Sequence, residues 1–170
     1  MRAPIPTYMD APTAASLTHR FEYCFRGKGG YPPILDQQPD LVPGEQFSVP
    51  GRGPTVDIVA IAQVHGRIPS LGFRFGNLAY CNDVNELPED SFELLEGIEI
   101  LVIDALRYTP HPSHAHLERS LEWIARIGPQ QAWLTNLHVD MDCRTLEGEL
   151  PDHVRPAYDG LVLPFEHTLR

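Results

Sequence analysis

The chain has 170 residues, 42% of them hydrophobic, which suffices for one domain with a real core. Its 23 acidic residues against 13 basic ones give a formal charge of -10 that opposes a phosphate backbone and argues against a polynucleotide partner. No apolar stretch approaches the roughly 20 residues of a membrane span, and no signal-like segment follows Met1-Arg2-Ala3-Pro4, so the expectation is a soluble, cytoplasmic protein with no membrane partner.

In chain order, residues 5–9 predict a short strand. Asp10-Ala11-Pro12 opens a helix over 13–25, with Leu17, Phe21 and Phe25 four apart, and the glycines of 27–30 stop it. Residues 31–54 hold six prolines and three glycines and read as an irregular connection inside a single domain spanning 1–170. The run 56–64 is apolar on both alternating faces, as in a strand covered on both sides. Residues 71–75 and 78–81 flank Gly76-Asn77 as a hairpin, 88–95 predicts a short acidic helix, and 98–103 a buried strand. Ser113 reads as the N-cap of an amphipathic helix with Leu117, Leu121 and Ile124 on one face and the Glu122/Arg126 pair on the other. Strand 131–135, helix 145–150 and a last strand 161–165 after Asp159-Gly160 complete an α/β pattern. Cys24, Cys81 and Cys143 are widely spaced and odd in number, and read as buried thiols.

Four of the apolar runs end on residues with metal or acid/base chemistry: His65, Asp83, Asp104 and Asn136. Strand ends present side chains to a shared cleft, so these endings point to a site. His65, tied down before Gly66, suits a metal ligand or a hydrogen-bonded histidine, and Asp83 suits a ligand or an Asx turn. Asp104 is placed to orient a neighbouring group. The run His111 to His116 puts three histidines at a helix start, where the helix dipole disfavours an imidazolium. His114 is therefore the candidate general acid or base, while His111 and His116 read as solvent-exposed. Asn136 and His138 lie in a polar stretch, 136–142, that can either line the cleft or form a solvated loop.

The order of these elements, and above all Val102-Ile103-Asp104-Ala105-Leu106-Arg107-Tyr108-Thr109-Pro110-His111-Pro112-Ser113-His114, resembles the C-terminal two-thirds of metallo-β-lactamase-fold hydrolases of the phosphoribosyl 1,2-cyclic phosphate phosphodiesterase branch. The resemblance implies a partial αββα sandwich lacking its N-terminal strands, with a zinc or manganese site. It makes His65 a metal ligand, Asp83 the bridging carboxylate, and His114 the histidine that assists protonation of the leaving group. Two departures stand out. The family's H-x-H-x-D-H motif is absent, and Asn136 falls where Leu-Thr-His would supply a histidine, an amide being a poor zinc ligand. His138, two residues on, substitutes only if the loop shifts. The implied activity is metal-dependent hydrolysis of a small, cyclic phosphodiester, and the alternative is a non-catalytic, truncated homologue acting as a binding module. A sandwich lacking strands would leave an edge to cover, so a homo-oligomer or a missing N-terminal segment is expected.

Overall fold

The computed structural model describes residues 3–51 and 53–165, and the chain forms two compact units, Met1–Val42 and Pro43–Arg170. In the first, β1 (Ile5–Thr7) and β2 (Leu35–Gln37) pair in parallel, Ile5 opposite Leu35. Helix α1 (Ala11–Arg20) starts where the Asp10 carboxylate accepts the Thr13 N–H at 3.0 Å. The single helix expected over 13–25 is two helices, because Phe21 leaves helical geometry before α2 (Glu22–Arg26). Gly27 ends α2 at φ 73°, where any side chain would collide with the Tyr31 carbonyl.

The second unit is built on a seven-stranded sheet in sequence order. Its strands are β3 (Gln46–Val49), β4 (Val56–His65), β5 (Ile68–Phe75), β6 (Leu78–Cys81), β7 (Ile100–Asp104), β8 (Gln131–Thr135) and β9 (Val154–Pro156). Strands β3 to β6 form an antiparallel meander, and β6 to β9 run parallel. Parallel neighbours need crossovers, and α3 (Glu89–Leu94), α4 (Leu117–Ile127) and α5 (Cys143–Glu149) supply one each. Two-residue turns at Gly66-Arg67 and Gly76-Asn77 close the hairpins, with Gly66 and Gly76 at positive φ.

The core gathers Ile61, Leu101, Ile103, Ile124, Leu134 and Leu146, all but excluded from water, from β4, β7, α4, β8 and α5. Arg126 on α4 lies 3.6 Å over the Phe92 ring and pairs with Glu89 of α3, so it ties two crossover helices together and does not pair with Glu122 as the spacing suggested.

Several sequence expectations are corrected. The stretch 31–54 holds β2 and β3, and the last strand lies at 154–156 and not at 161–165, where Val162 is exposed. The thiols are not all buried: Cys81 is, Cys24 is half-buried, and Cys143 is exposed. Burial pushes the Cys81 thiol up to about 12. In the folded protein at pH 8 a thiol-specific reagent should therefore label Cys143 quickly and Cys81 only after denaturant is added. Because the unfolded thiol titrates near 9.0, stability should be untouched below that pH and fall as pH rises from there toward about 12. Rapid labelling of native Cys81 would contradict this packing.

Candidate metal centre

Strands β4, β6, β7 and β8 all run in one direction, because β4 and β6 are each antiparallel to the β5 between them and β6, β7 and β8 are parallel. Their C-terminal ends share one edge of the sheet, the edge where open α/β sheets place ligands. His65 is the last residue of β4 and Asp104 the last of β7, while Asp83 and Asn136 follow β6 and β8. Asp83 (φ 53°) and Asn136 (φ 62°) are the non-glycine residues at positive φ among those described, a conformation Asp and Asn tolerate best. Both strained turns lie in the site.

His65, Asp83 and His114 each offer one ligand atom within 4.8 Å of the others. The two histidine rings are held from behind. His65 Nδ1 is 2.7 Å from the Ser113 carbonyl, which can only accept, so Nδ1 carries the hydrogen and Nε2 keeps its lone pair. Gly66 permits this approach, since a Cβ there would sit 3.0 Å from Ser113 Cβ. His114 Nδ1 is 2.7 Å from Asp104 Oδ2, which likewise leaves Nε2 free, and lies 3.8 Å from Asp83 Oδ1. The two imidazoles meet edge to face, their centroids 4.6 Å apart.

Asp104 is fully buried and accepts from the Val84 N–H at 3.2 Å and from Asn136 Nδ2 at 3.2 Å. Burial pushes its carboxyl above the ordinary value, and His114, the Val84 N–H and Asn136 hold it partly down. Asn136 Nδ2 also lies 3.1 Å from His114 Nδ1, so this amide serves the partner of the histidine. His138 turns elsewhere, to Asp140 Oδ1 at 2.5 Å, and is not in the three-residue cluster.

The expected helix start is displaced. Helix α4 begins at Leu117 with His116 as N-cap, so Ser113 is not the cap and His114 lies before the helix, its surroundings set by Asp104 and not by the helix dipole. His111, read as solvent-exposed, is half-buried with its ring 5.2 Å from His114; desolvation and the nearby Arg107 and His114 lower its pKa. His116 is also half-buried. Sequence reasoning did not find the Ser113 carbonyl, the Val84 N–H or Gln63, a buried side chain of β4 that donates to the Asn82 carbonyl at 2.9 Å and steadies the turn carrying Asp83. The first two are backbone groups, invisible in side-chain patterns.

Two imidazoles with anchored Nδ1 atoms and a carboxylate form a nitrogen and oxygen donor set that fits zinc or manganese. Ligand atoms at about 2.1 Å from a tetrahedral ion stand about 3.4 Å apart, so a cluster whose ligand atoms lie within 4.8 Å must draw together to grip one. We expect one equivalent of zinc or less to survive dialysis of this chain; two retained equivalents would reveal ligands beyond these three.

Residues 1–136 match the Beta-lactamase superfamily domain. A solved diphosphatase of the PhnP family is 29% identical, with a TM-score of 0.82 over 98% of this chain and 60% of its own. The fold recurs at 16% identity and TM-score 0.63 in the metallo-β-lactamase fold protein YhfI from Bacillus subtilis, over 92% of this chain and 63% of that one. It recurs at 14% identity and TM-score 0.61 in the short form of human tRNase Z, over 96% of this chain and 69% of that one. A Porphyromonas gingivalis protein named octanoyltransferase is 33% identical over 162 residues, 92% of this chain and 32% of the relative. The chain thus spans about a third of that relative and three-fifths of the diphosphatase.

Proposed function

Because the chain belongs to the Beta-lactamase superfamily domain family, with the α/β fold of metallo-β-lactamase-type proteins, we propose that it carries part of the active site of a metal-dependent hydrolase acting on a small phosphodiester. The observation that carries this reading is the convergence of His65, Asp83 and His114 at one sheet edge, each histidine fixed by an acceptor behind it. The likeness to a PhnP-family diphosphatase supports a phosphorus ester as the substrate class. The name octanoyltransferase belongs to a protein of which this chain matches 32%, and nothing in the cluster calls for acyl transfer.

In this reading His65 and Asp83 hold the ion. A bound divalent ion supplies positive charge against the phosphoryl oxygens. His114, its Nδ1 fixed by Asp104, presents the lone pair of Nε2 to the cleft, where it takes a proton from the attacking water and returns it to the departing alkoxide. Asp104 and Asn136 act by holding His114 in place.

The test is hydrolysis of a cyclic phosphodiester by the zinc- or manganese-loaded protein, with metal content measured in parallel. His65→Ala should lose metal and turnover together. His114→Ala should keep the metal and lose about 10²- to 10⁴-fold in rate. Absence of hydrolysis in the loaded parent protein would overturn the enzyme reading in favour of a binding module. One observation favours that second reading: Asn136 stands where the resemblance expects a ligand, and its amide is committed to Asp104.

A further inference from the structure

The side chains of the cluster are fixed in two different ways. The imidazoles of His65 and His114 are anchored through their own Nδ1 atoms, whereas the Asp83 carboxylate makes no hydrogen bond to a described residue and has His114 Nδ1, at 3.8 Å, as its ion-pair neighbour. Its side chain is 57% exposed, so packing does little to set its direction. What is fixed is the main chain on either side of it. The Gln63 amide nitrogen donates to the Asn82 carbonyl at 2.9 Å, the Ser70 hydroxyl donates to the Asp83 carbonyl at 2.7 Å, and the Val84 N–H donates to Asp104 at 3.2 Å. Both peptide groups flanking Asp83 are thus held, and between them a residue at φ 53°, where an L side chain is uncommon. Gln63 and Ser70 work as one unit: they stand opposite each other on β4 and β5, and the Gln63 amide also donates to Ser70 Oγ at 3.3 Å, which leaves the hydroxyl hydrogen for Asp83. Gln63 is 2% exposed, and Gly72 makes the room for it, since a Cβ there would lie 2.5 Å from Gln63 Oε1. It precedes His65 by two residues and so shares its face of β4. One strand therefore carries both His65 and the group that places Asp83.

We propose that Gln63 and Ser70 are positioning residues for the metal ion, which aim the Asp83 carboxylate at the ion by holding the carbonyls of Asn82 and Asp83. The inference rests on the reading of Asp83 as a metal ligand and adds the groups that set its grip. A strained backbone conformation persists only where its surroundings over-determine it. With the Ser70 hydroxyl gone, the Asp83 peptide is free to relax out of the left-handed region, and the carboxylate turns away from the ion while the sheet beneath stays in place.

The test is zinc affinity, read by competition against a chromogenic chelator, with a urea titration of each variant in parallel. Ser70→Ala, and Gln63→Met, which keeps the length of the side chain but not its donors, should each weaken zinc binding about tenfold or more. Ser70→Thr, which keeps the hydroxyl, should stay within about threefold of the parent. Ser91→Ala is the matched control: it deletes a buried hydroxyl that donates to the Ala62 carbonyl of the same strand at 2.7 Å without bonding to the Asp83 turn, so it should cost stability yet leave zinc affinity within about twofold. Ser70→Ala decides alone if Gln63→Met does not fold. A folded Ser70→Ala chain that binds zinc like the parent, or an equal loss in Ser91→Ala, would overturn the proposal and leave the metal centre standing. A parent chain that binds no zinc would overturn both. The expected pattern of affinities without hydrolysis of any cyclic phosphodiester would uphold the positioning role and remove the hydrolase reading.

Discussion

An Asp104→Asn variant, loaded with metal, should on the hydrolase reading turn over a cyclic phosphodiester about 10- to 100-fold more slowly than the parent chain. The carboxylate is fully buried, and each of its oxygens already faces a donor: His114 Nδ1 and the Val84 N–H at Oδ2, Asn136 Nδ2 at Oδ1. An amide keeps the shape but replaces one acceptor by a donor, so one of these pairs must break. If the new NH₂ faces His114, the imidazole keeps a hydrogen bond only by moving its proton to Nε2, which removes the lone pair that takes up a proton in the cleft. If it faces Asn136, the loop after β8 loses its anchor. Either way a buried donor is left without a partner, at about 1–3 kcal/mol of stability. Steady-state hydrolysis by the metal-loaded protein gives the rate and a urea titration the stability. An unchanged rate would show that Asp104 does not fix the histidine.

Leu134→Ala should cost about 2–5 kcal/mol of folding free energy, a large share of the roughly 5–15 kcal/mol that a domain possesses. Leu134 is the fourth of the five residues of β8, fully buried, opposite Ile103 on β7 and Pro156 on β9. The strand is held on both sides by parallel partners, so the surroundings collapse poorly into the space left behind. Val139→Ala, at a site 90% exposed in the loop after β8, should change stability by less than about 0.5 kcal/mol. Urea midpoints at constant slope measure both. A Leu134→Ala loss below about 1 kcal/mol would mean that the β7–β8–β9 layer is not the packed core described here.

The chain's alternation of residue types determined a good deal by itself. Strands β4, β7 and β8 are covered on both faces, so they read as near-continuous apolar runs, and the polar residue that ends or follows each run stands out: His65, Asp104, Asn136. Because those strands run the same way, the three run endings and Asp83 fall on one edge, and the residues that meet there stand out in the sequence alone. Short or weakly patterned elements were not visible. Strands β2 and β3 have three and four residues among prolines and glycines, and their pairing partners lie far along the sequence or across a turn. The last strand was misplaced for the same reason: Leu161 to Phe165 carries the better apolar pattern, yet 154–156 has the position from which to pair with β8.

The helix start shows most plainly what only tertiary structure decides. Ser113 has the local chemistry of an N-cap, and nothing in the flanking sequence forbids a helix from there. In the folded chain the backbone and side chains of 113–115 are already taken: the Ser113 carbonyl by His65, His114 by Asp104, and the Ala115 N–H by the Val84 carbonyl at 2.6 Å. These partners lie up to 48 residues away along the chain, so no local rule reports them. A segment whose hydrogen bonds go to the strand ends cannot also spend them on a helix, and α4 begins at Leu117, where that claim stops.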